Sequence, residues 1–264
     1  MLLGKKFTIL LTALLASAGP LTDPATANVY TKCVAPNTVA LTFDDGPWIY
    51  ECIRHTLQSI KLIAPSRKEL SDWLTNNGVK ATFFVNGNNY GCIYNASIVA
   101  SLQHTFQAGH QICSHTWSHP HLTKLNKTQI ATEIVKLDTA LEKVLGIKTP
   151  WLRPPYGEYN DLVRQTAYEN NKNLVTWNFD SLDSDGATAA QSQGYYDSQI
   201  DEHPANLIVL NHETEASTVR EVIPYAVPAL KAAGYKFVTV AECLGGQAYS
   251  SEGSFSIRDN TWKC

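Results

Sequence analysis

Five short runs of apolar residues, rich in β-branched and aromatic side chains, are spaced along the chain and predict buried strands. They occupy residues 38–43, 81–85, 174–177, 207–210 and 235–240. Between them, apolar residues recur at helical spacing over residues 130–144, and Gly146 stands where this helix would end. A second helix is predicted over residues 219–233, ending at Gly234.

This alternation of strands and helices is typical of a mainly parallel sheet or barrel covered by helices. The sequence contains no internal repeat and no low-complexity linker. We therefore expect an α/β fold built as a single domain.

The segment 52–67 does not fit this pattern, because Pro65 interrupts any helix through it. Without it, residues 48–51 would run directly into 68–74 and form a better amphipathic helix. Two hypotheses remain open: a real loop near the site, or a translated intron in the gene model. Sequencing the transcript would decide between them.

Composition narrows the class of protein. The 264 residues are 44% hydrophobic, enough for one large core, and the formal net charge is −3. This charge gives no support for a nucleic-acid partner or for an anionic membrane as partner. We expect a monomer with neither partner.

The first residues are typical of a secretory signal. Lys5 and Lys6 precede an apolar stretch too short to span a bilayer, and small residues then fit cleavage after Ala18 or Ala27. The alternative is a buried N-terminal helix, which the order of these features disfavours. We assign residues 1–27 to the signal peptide and 28–264 to the mature domain, and expect a secreted protein of the extracellular space or cell wall.

Six cysteines without a Cys-x-x-Cys pair are disulfide candidates in an exported chain, although spacing alone does not give their pairing. We favour a bridge between Cys33 and Cys243, which would tie the N-terminus to the C-terminal end of the fold. Asn95 and Asn126 begin glycosylation sequons.

Polar, reactive side chains follow the predicted strands, where α/β enzymes place their sites. Asp44 and Asp45 come directly after an apolar strand, and adjacent carboxylates repel unless a cation or a shared proton relieves them. The alternative is a surface turn, since Asp-Gly-Pro is also good turn chemistry.

The pair His115 and His119 would share one face if its segment were helical, and could then bind one metal ion with Asp45. His110 and His121 flank the pair, so spacing alone does not choose the ligands. The ordinary alternative is a set of partly exposed histidines bonded to backbone.

Three further clusters contain candidate residues. Arg153 is a permanently charged partner for a carboxylate, with a structural ion pair as the alternative. Asp180 and Asp183 lie together, and His212 follows an apolar strand where it could act as an acid or base near neutral pH.

In order along the chain, the motifs TFDDGP (42–47), HTWSH (115–119), RPPYG (153–157), DSLD (180–183) and LNH (210–212) resemble the five motifs of the carbohydrate esterase family 4 polysaccharide deacetylases, the NodB homology family. The resemblance covers residues 39–244. The wording at residues 81–87, 109–110 and 211–213 is most similar to that of fungal chitin deacetylases.

The resemblance implies a distorted, incomplete (β/α) barrel and a role for each motif residue. Asp45, His115 and His119 would bind a divalent metal, zinc with cobalt as an alternative. Asp44 would be the general base, and Arg153 would orient it. The backbone N–H of Tyr156 would stabilise the oxyanion, His212 would protonate the leaving amine, Asp183 would keep His212 protonated, and Leu210 would line the acetyl pocket.

The resemblance further implies N-deacetylation of chitin or chitin oligosaccharides, giving acetate and glucosamine units. An acetylxylan esterase or a peptidoglycan deacetylase would use the same machinery, and an inactive carbohydrate-binding homologue is the alternative from another class. One departure concerns the pocket: the family's fourth motif usually ends in a tryptophan, but Ser184 stands there. The pocket wall must therefore differ, or Trp177 supplies it.

Overall fold

The computed structural model describes residues 25–48 and 67–264, and its strands are short except for two. They are β1 (Val29–Tyr30), β2 (Thr38–Gly46), β3 (Thr82–Val85), β4 (Gln111–Ser114), β5 (Ile147–Lys148), β6 (Trp151–Leu152), β7 (Asn173–Val175), β8 (Phe179–Asp180), β9 (Asn206–His212), β10 (Lys236–Phe237) and β11 (Ser251–Glu252).

Helices alternate with these strands. They are α1 (Arg67–Asn76), α2 (Ala96–Gln107), α3 (Lys127–Leu145), α4 (Asp161–Glu169), α5 (Ala189–Glu202), α6 (Ile223–Ala232) and α7 (Val240–Leu244). The predicted helix over 130–144 is α3, and Gly146 ends it with a positive φ of 69° that a glycine adopts without strain. The predicted helix over 219–233 begins as a π-helical turn, Thr218–Val222, and continues as α6.

Nine of the eleven described strands form one sheet, in the order β1-β7-β6-β4-β3-β2-β9-β8, with β10 paired to the start of β2. The other two, β5 and β11, form a separate antiparallel pair. Every pair in the nine-stranded sheet is parallel. Together with its helices it is the expected distorted, incomplete (β/α) barrel, in a single domain. Because the strands are parallel, their carboxyl ends meet at one edge, which is where the polar motifs lie.

The centre of the sheet is buried on both faces, as parallel sheets usually are. In β2 the residues from Val39 to Phe43 have no exposed surface, and the Phe43 ring stacks on Phe83 of β3 at 5.3 Å between centroids. Continuous apolar runs therefore gave the correct strands at 38–43, 81–85 and 207–210.

The prediction of a strand over 235–240 is wrong at its end. Only Lys236–Phe237 is extended, and Val240 begins α7. The Thr239 side chain accepts a hydrogen bond from the Glu242 backbone N–H, while the Glu242 side chain accepts one from the Thr239 N–H. This capping box starts a helix where the apolar pattern alone indicates a strand.

Among the described residues, two disulfide bonds join distant parts of the chain. One joins Cys33 and Cys243, the pair favoured from the sequence, and the other joins Cys92 and Cys264. Cys113 is a buried free thiol. Disulfide bonds of this kind are typical of extracellular proteins.

Within the described residues, no helix is both long enough and apolar enough to cross a membrane. Most of the predicted signal peptide (residues 1–24) and most of the segment 52–67 (up to residue 66), with Cys52, lie outside the described residues.

Candidate active site

A cleft of about 520 Å³ opens at the carboxyl edge of the sheet. The ends of β2, β4 and β9 and the loops after β3, β6, β7 and β8 supply its lining residues. The side chains that line it are Asp44, Asp45, Asn89, Tyr90, His115, His119, Tyr156, Trp177, Asp180, Ser184, Asp185, Leu210 and His212.

Asp45, His115 and His119 converge in this cleft. One ligand atom from each lies within 4.8 Å of the others, and Asp45 Oδ1 is 3.2 Å from His119 Nε2 and 3.5 Å from His115 Nε2. Among the described residues, Asp45 Oδ1 is buried yet has no hydrogen-bond partner of acceptable geometry. Two imidazoles and a carboxylate are ligands that a divalent transition metal accepts, so the residues present fit such an ion.

The electrostatics of this trio agree with a cation site. Burial disfavours the charged form of Asp45, but the surrounding His115, His119 and His212 rings outweigh it and lower the Asp45 pKa to about 2. Burial, with the neighbouring His115 ring, lowers the His119 pKa to about 4. At neutral pH the site therefore presents a carboxylate and a neutral His119, the protonation states that metal ligation needs.

The segment with the two histidines is not helical, in contrast to the geometry considered from their spacing. His115 follows β4 directly, and positive φ values at Thr116 (72°) and His119 (57°) turn the chain back toward the cleft. His115 Nδ1 lies 2.8 Å from the Arg153 carbonyl oxygen, to which it donates. This bond fixes the tautomer and leaves Nε2 available for a metal.

Asp44 is almost fully buried beside the trio and is held by Arg153, which lies in the interior of the protein. Arg153 Nη1 donates to Asp44 Oδ1 at 2.8 Å and to Thr42 Oγ1 at 2.6 Å. Its remaining nitrogens donate to the carbonyl oxygens of Val175 and Thr176. Each guanidinium nitrogen of Arg153 therefore donates at least one hydrogen bond, and the fixed guanidinium orients the Asp44 carboxylate.

His212 faces Asp44 across the paired strands β2 and β9, since the two residues are partners in the strand register. Its Nδ1 lies 2.7 Å from Asp183 Oδ1, and Asp183 Oδ2 accepts from the His212 N–H and the Thr218 hydroxyl. Burial disfavours the charged imidazolium, but the Asp183 carboxylate, with Asp44 and Asp45, raises the His212 pKa to about 9. His212 is therefore protonated at neutral pH.

Tyr156 lies at the mouth of the cleft, with its ring stacked on His121 at 4.0 Å and edge-on to His119 at 4.6 Å. Its φ of 59° is unusual for a residue other than glycine. A Cβ on the next residue, Gly157, would lie 2.8 Å from the Trp177 ring, so the indole packs tightly against this turn.

Leu210, Trp177 and Ser184, the residues of the expected pocket wall, all line the cleft. Ser184 is exposed at the cleft, while Trp177 and Leu210 supply apolar surface. Among the tyrosines, Tyr90 lines the cleft and could stack on a sugar ring, whereas Tyr94 and Tyr196 are buried and Tyr195 is exposed outside the cleft.

Other candidates lie outside the cleft. His110 is buried against Ser71 and Ala81, and His121 pairs with Glu158. The sequon residues Asn95 and Asn126 are both exposed and both cap helices, α2 and α3.

The sequence analysis assigned no role to several cleft or supporting residues: Thr42, Asn89, Asp185, Thr218, Arg67 and Glu213. Of these, only Glu213 had a usable sequence signal. It directly follows His212 at the end of an apolar strand, and a carboxylate at such a position needs a partner if it is buried.

Comparison with known proteins identifies the class. The chain matches the family model described as polysaccharide deacetylase over residues 31–175, and it belongs to that family. Members of this class are hydrolases, and this chain is accordingly a polysaccharide deacetylase by family, with a possible Asp-His-His metal site.

Individual relatives have names that specify a polymer. A chitin deacetylase from Pestalotiopsis sp is 36% identical over 234 residues, covering 87% of this chain and 72% of the relative. A probable peptidoglycan-N-acetylglucosamine deacetylase from Arthroderma benhamiae is 34% identical over 86% of this chain and 48% of its own length. The chitin deacetylase structure from the fungal pathogen Colletotrichum lindemuthianum superposes with a TM-score of 0.75 at 28% identity, covering 84% of this chain and 94% of that one.

Proposed function

We propose that this protein is a secreted, metal-dependent hydrolase that removes N-acetyl groups from N-acetylglucosamine polymers, with chitin or its oligosaccharides as substrate. The observation that carries the proposal is the convergence of the Asp45-His115-His119 trio with Asp44 and His212 in one cleft. Similarity to chitin deacetylases over most of the chain supports the choice of polymer. We further propose that the protein acts as a monomer, without nucleic-acid or membrane partners.

Asp45, His115 and His119 would hold the metal, which we take to be Zn²⁺, with Co²⁺ as an alternative. When bound, the ion supplies a Lewis acid for the amide carbonyl and the attacking water. Asp44, whose Oδ1 is fixed by Arg153, takes the proton from that water. The Tyr156 backbone N–H donates to the developing oxyanion.

Cleavage of the amide also needs a proton on the departing nitrogen, because an unprotonated amine leaves poorly. His212 is protonated at neutral pH through its bond to Asp183, and it faces Asp44 on the paired strand. It therefore donates this proton. Leu210 contacts the acetyl methyl. Acetate and a glucosamine unit leave.

A peptidoglycan deacetylase is the second candidate, favoured by the 34% identity to the probable peptidoglycan-N-acetylglucosamine deacetylase. An acetylxylan esterase would use the same residues. A binding protein without activity is disfavoured, because each metal and acid–base position contains a side chain able to do its task.

The decisive experiment measures acetate release by the zinc-loaded protein on chitin oligomers, acetylated xylan and peptidoglycan in parallel. Release from chitin oligomers, abolished by a chelator and restored by Zn²⁺, supports the proposal. The Asp44→Asn variant should bind Zn²⁺ and lose at least about 100-fold in kcat. Release mainly from another polymer would correct the substrate, and none from all three would favour the binding-protein alternative.

A further inference from the structure

Behind Asp45 lies a buried ion pair that no step of this mechanism uses. Arg67, the first residue of α1, contacts Glu213, the residue after His212, through Nη2 and Oε1. Both side chains are 0% exposed. Removing two charges from water is unfavourable, and good pair geometry with further hydrogen bonds is needed to offset that cost. The pair lies against the turn 46–48, which directly follows Asp45.

The Glu213 carboxylate lies directly against the backbone that follows Asp45. A Cβ added to Gly46 would lie 1.1 Å from Glu213 Oε1 and 2.1 Å from Arg67 Nη2, so no side chain fits at position 46. Burial raises the Glu213 pKa to about 7, while Arg67 and a hydrogen bond from the Trp48 backbone act to lower it. The carboxylate thus connects the end of β9 to the turn 46–48.

Arg67 fixes the other side of the same turn. Its backbone N–H donates to the Trp48 carbonyl oxygen at 3.5 Å, and its guanidinium carbon stands 4.7 Å above the Phe83 ring of β3. The cation therefore cannot shift without disturbing β3 as well as the turn. Opposite, the Asn86 N–H donates to the Gly46 carbonyl oxygen at 2.7 Å.

This support matters because Asp45 has a φ of 69°. Such a backbone is unfavourable for a residue with a side chain and persists only when its surroundings impose it. Glu213 and Arg67 contact Gly46 and Trp48, the residues that follow Asp45 in the chain, and so restrict the backbone on the C-terminal side of Asp45.

We propose that Arg67 and Glu213 are positioning residues, which hold the Asp45–Gly46 backbone in the conformation that aims the Asp45 carboxylate at His115 and His119, and thereby set the metal affinity. The inference rests on the metal site proposed above and is independent of which polymer is the substrate.

It also bears on the segment 52–67: an excision that removed Arg67 would leave the Glu213 carboxylate without its cation, so a dispensable segment must end before Arg67.

The test is calorimetric titration of the metal-free protein with Zn²⁺ alone. Glu213→Gln keeps the size of the side chain but loses its charge, and Arg67→Met/Glu213→Leu replaces the pair by apolar groups of similar volume. Such a replacement often leaves stability unchanged or improved. We expect both variants to bind Zn²⁺ about 10- to 100-fold more weakly, the usual effect of losing a group that orients a ligand.

The matched control is Lys172→Met/Asp138→Leu, which removes an ion pair of 2.6 Å outside the cleft, with a buried cation and a partly exposed carboxylate. Its Zn²⁺ affinity should equal that of the wild type. Thermal melts of all metal-free variants separate a loss of fold from a loss of affinity. Should the double variant not fold, Glu213→Gln carries the test, since it keeps the volume of the side chain and removes the charge that pairs with Arg67.

The positioning role and the proposed function fail in different experiments. A folded Glu213 variant with wild-type Zn²⁺ affinity overturns the positioning role, even if the wild type releases acetate. Wild-type protein that binds Zn²⁺ but releases no acetate overturns the proposed function and leaves the affinity comparison intact. Wild-type protein that binds no Zn²⁺ overturns both.

Discussion

Five of the eight described non-glycine residues with a positive φ lie in or beside the cleft: Asp45, Thr116, His119, Tyr156 and Leu182. Each such residue gives up about 1–3 kcal/mol of stability relative to a relaxed backbone. At the level of single residues, the site therefore depends on supporting contacts, which include the buried Arg153 and Asp183 and, by the proposal above, the buried Arg67–Glu213 pair.

The Asp183→Asn variant tests the support of His212. The carboxylate raises the His212 pKa, so the protonated acid persists until the pH rises through about 9. Without that charge the pKa falls, and the alkaline limb of the kcat/KM profile should move down by about one pH unit or more. A pH series on chitin oligomers measures this. Asp185→Asn, which removes a cleft carboxylate not bonded to His212, should leave the limb in place; an equal shift in both variants contradicts the assignment.

The Trp177→Ala variant tests whether Trp177 lines the proposed pocket for the acyl group. Its indole packs on Gly157 and lines the cleft together with Leu210, while Ser184 leaves that side open. We expect the wild type to prefer N-acetyl over N-propionyl oligomers by about 10-fold or more, the usual worth of one methylene in an apolar pocket. Trp177→Ala should lose most of this preference in a kcat/KM comparison, and Tyr195→Ala should retain it. A Trp177→Ala protein that is merely slower, with the acetyl preference unchanged, would rule out this role.

At the scale of helices and strands, the sequence predicted what depends on local pattern. Continuous apolar runs identified β2, β3 and β9, and spacing with Gly146 identified α3. The end of the 235–240 run was wrong because side-chain capping at Thr239 overrides an apolar pattern. Strand order was not predictable either, since pairing β2 with β9 depends on contacts between residues distant in sequence.

The same limit applies to the site. The motifs identified Asp44, Asp45, His115, His119, Arg153 and His212 as candidates, and the structure brings all six together. Arg67 had no signal of its own, because its partner lies 146 residues away and only the fold brings the two into contact.

Capping of α3 gives a prediction at this scale. Asn126 Oδ1 accepts from the Gln129 N–H at 3.0 Å, and the Gln129 side chain accepts from the Asn126 N–H at 3.0 Å. Asn126→Ala should lower the free energy of unfolding by about 1 kcal/mol, whereas Asn126→Asp keeps the cap and should cost little. Urea denaturation measures both. Thr128→Ala, which destroys the sequon but not the cap, separates any effect of a glycan; a loss as large in Thr128→Ala as in Asn126→Ala would contradict the capping explanation.

For the whole molecule, the two disulfide bonds close loops across sequence separations of 210 and 172 residues. Cys33–Cys243 lies within a buried cluster, whereas Cys92 belongs to the loop that carries Asn89 and Tyr90 into the cleft. Both bonds should therefore stabilise the fold to a similar degree, because both close long loops. Only Cys92–Cys264 tethers a loop that lines the cleft.

Replacing either bond by two alanines should lower the free energy of unfolding by about 2–5 kcal/mol, measured by denaturant titration. Only Cys92→Ala/Cys264→Ala should also raise KM for chitin oligomers, because Asn89 and Tyr90 lose their tether. Equal KM values in the two double variants would show that this loop does not contact the substrate.

The position of β2 in the sheet also has a consequence for synthesis. β2 is made early, yet Thr42 bonds to the carbonyl oxygen of Val209, 167 residues later in the chain, and β9 covers one of its edges from Thr38 to Asp44. While the chain emerges from the ribosome, this apolar strand keeps an open edge until β9 arrives. Such an edge is a template for pairing with other chains. Nascent chains stalled before β9 should therefore depend on chaperones to stay free of aggregates, and release from chaperones should coincide with the completion of the catalytic cleft.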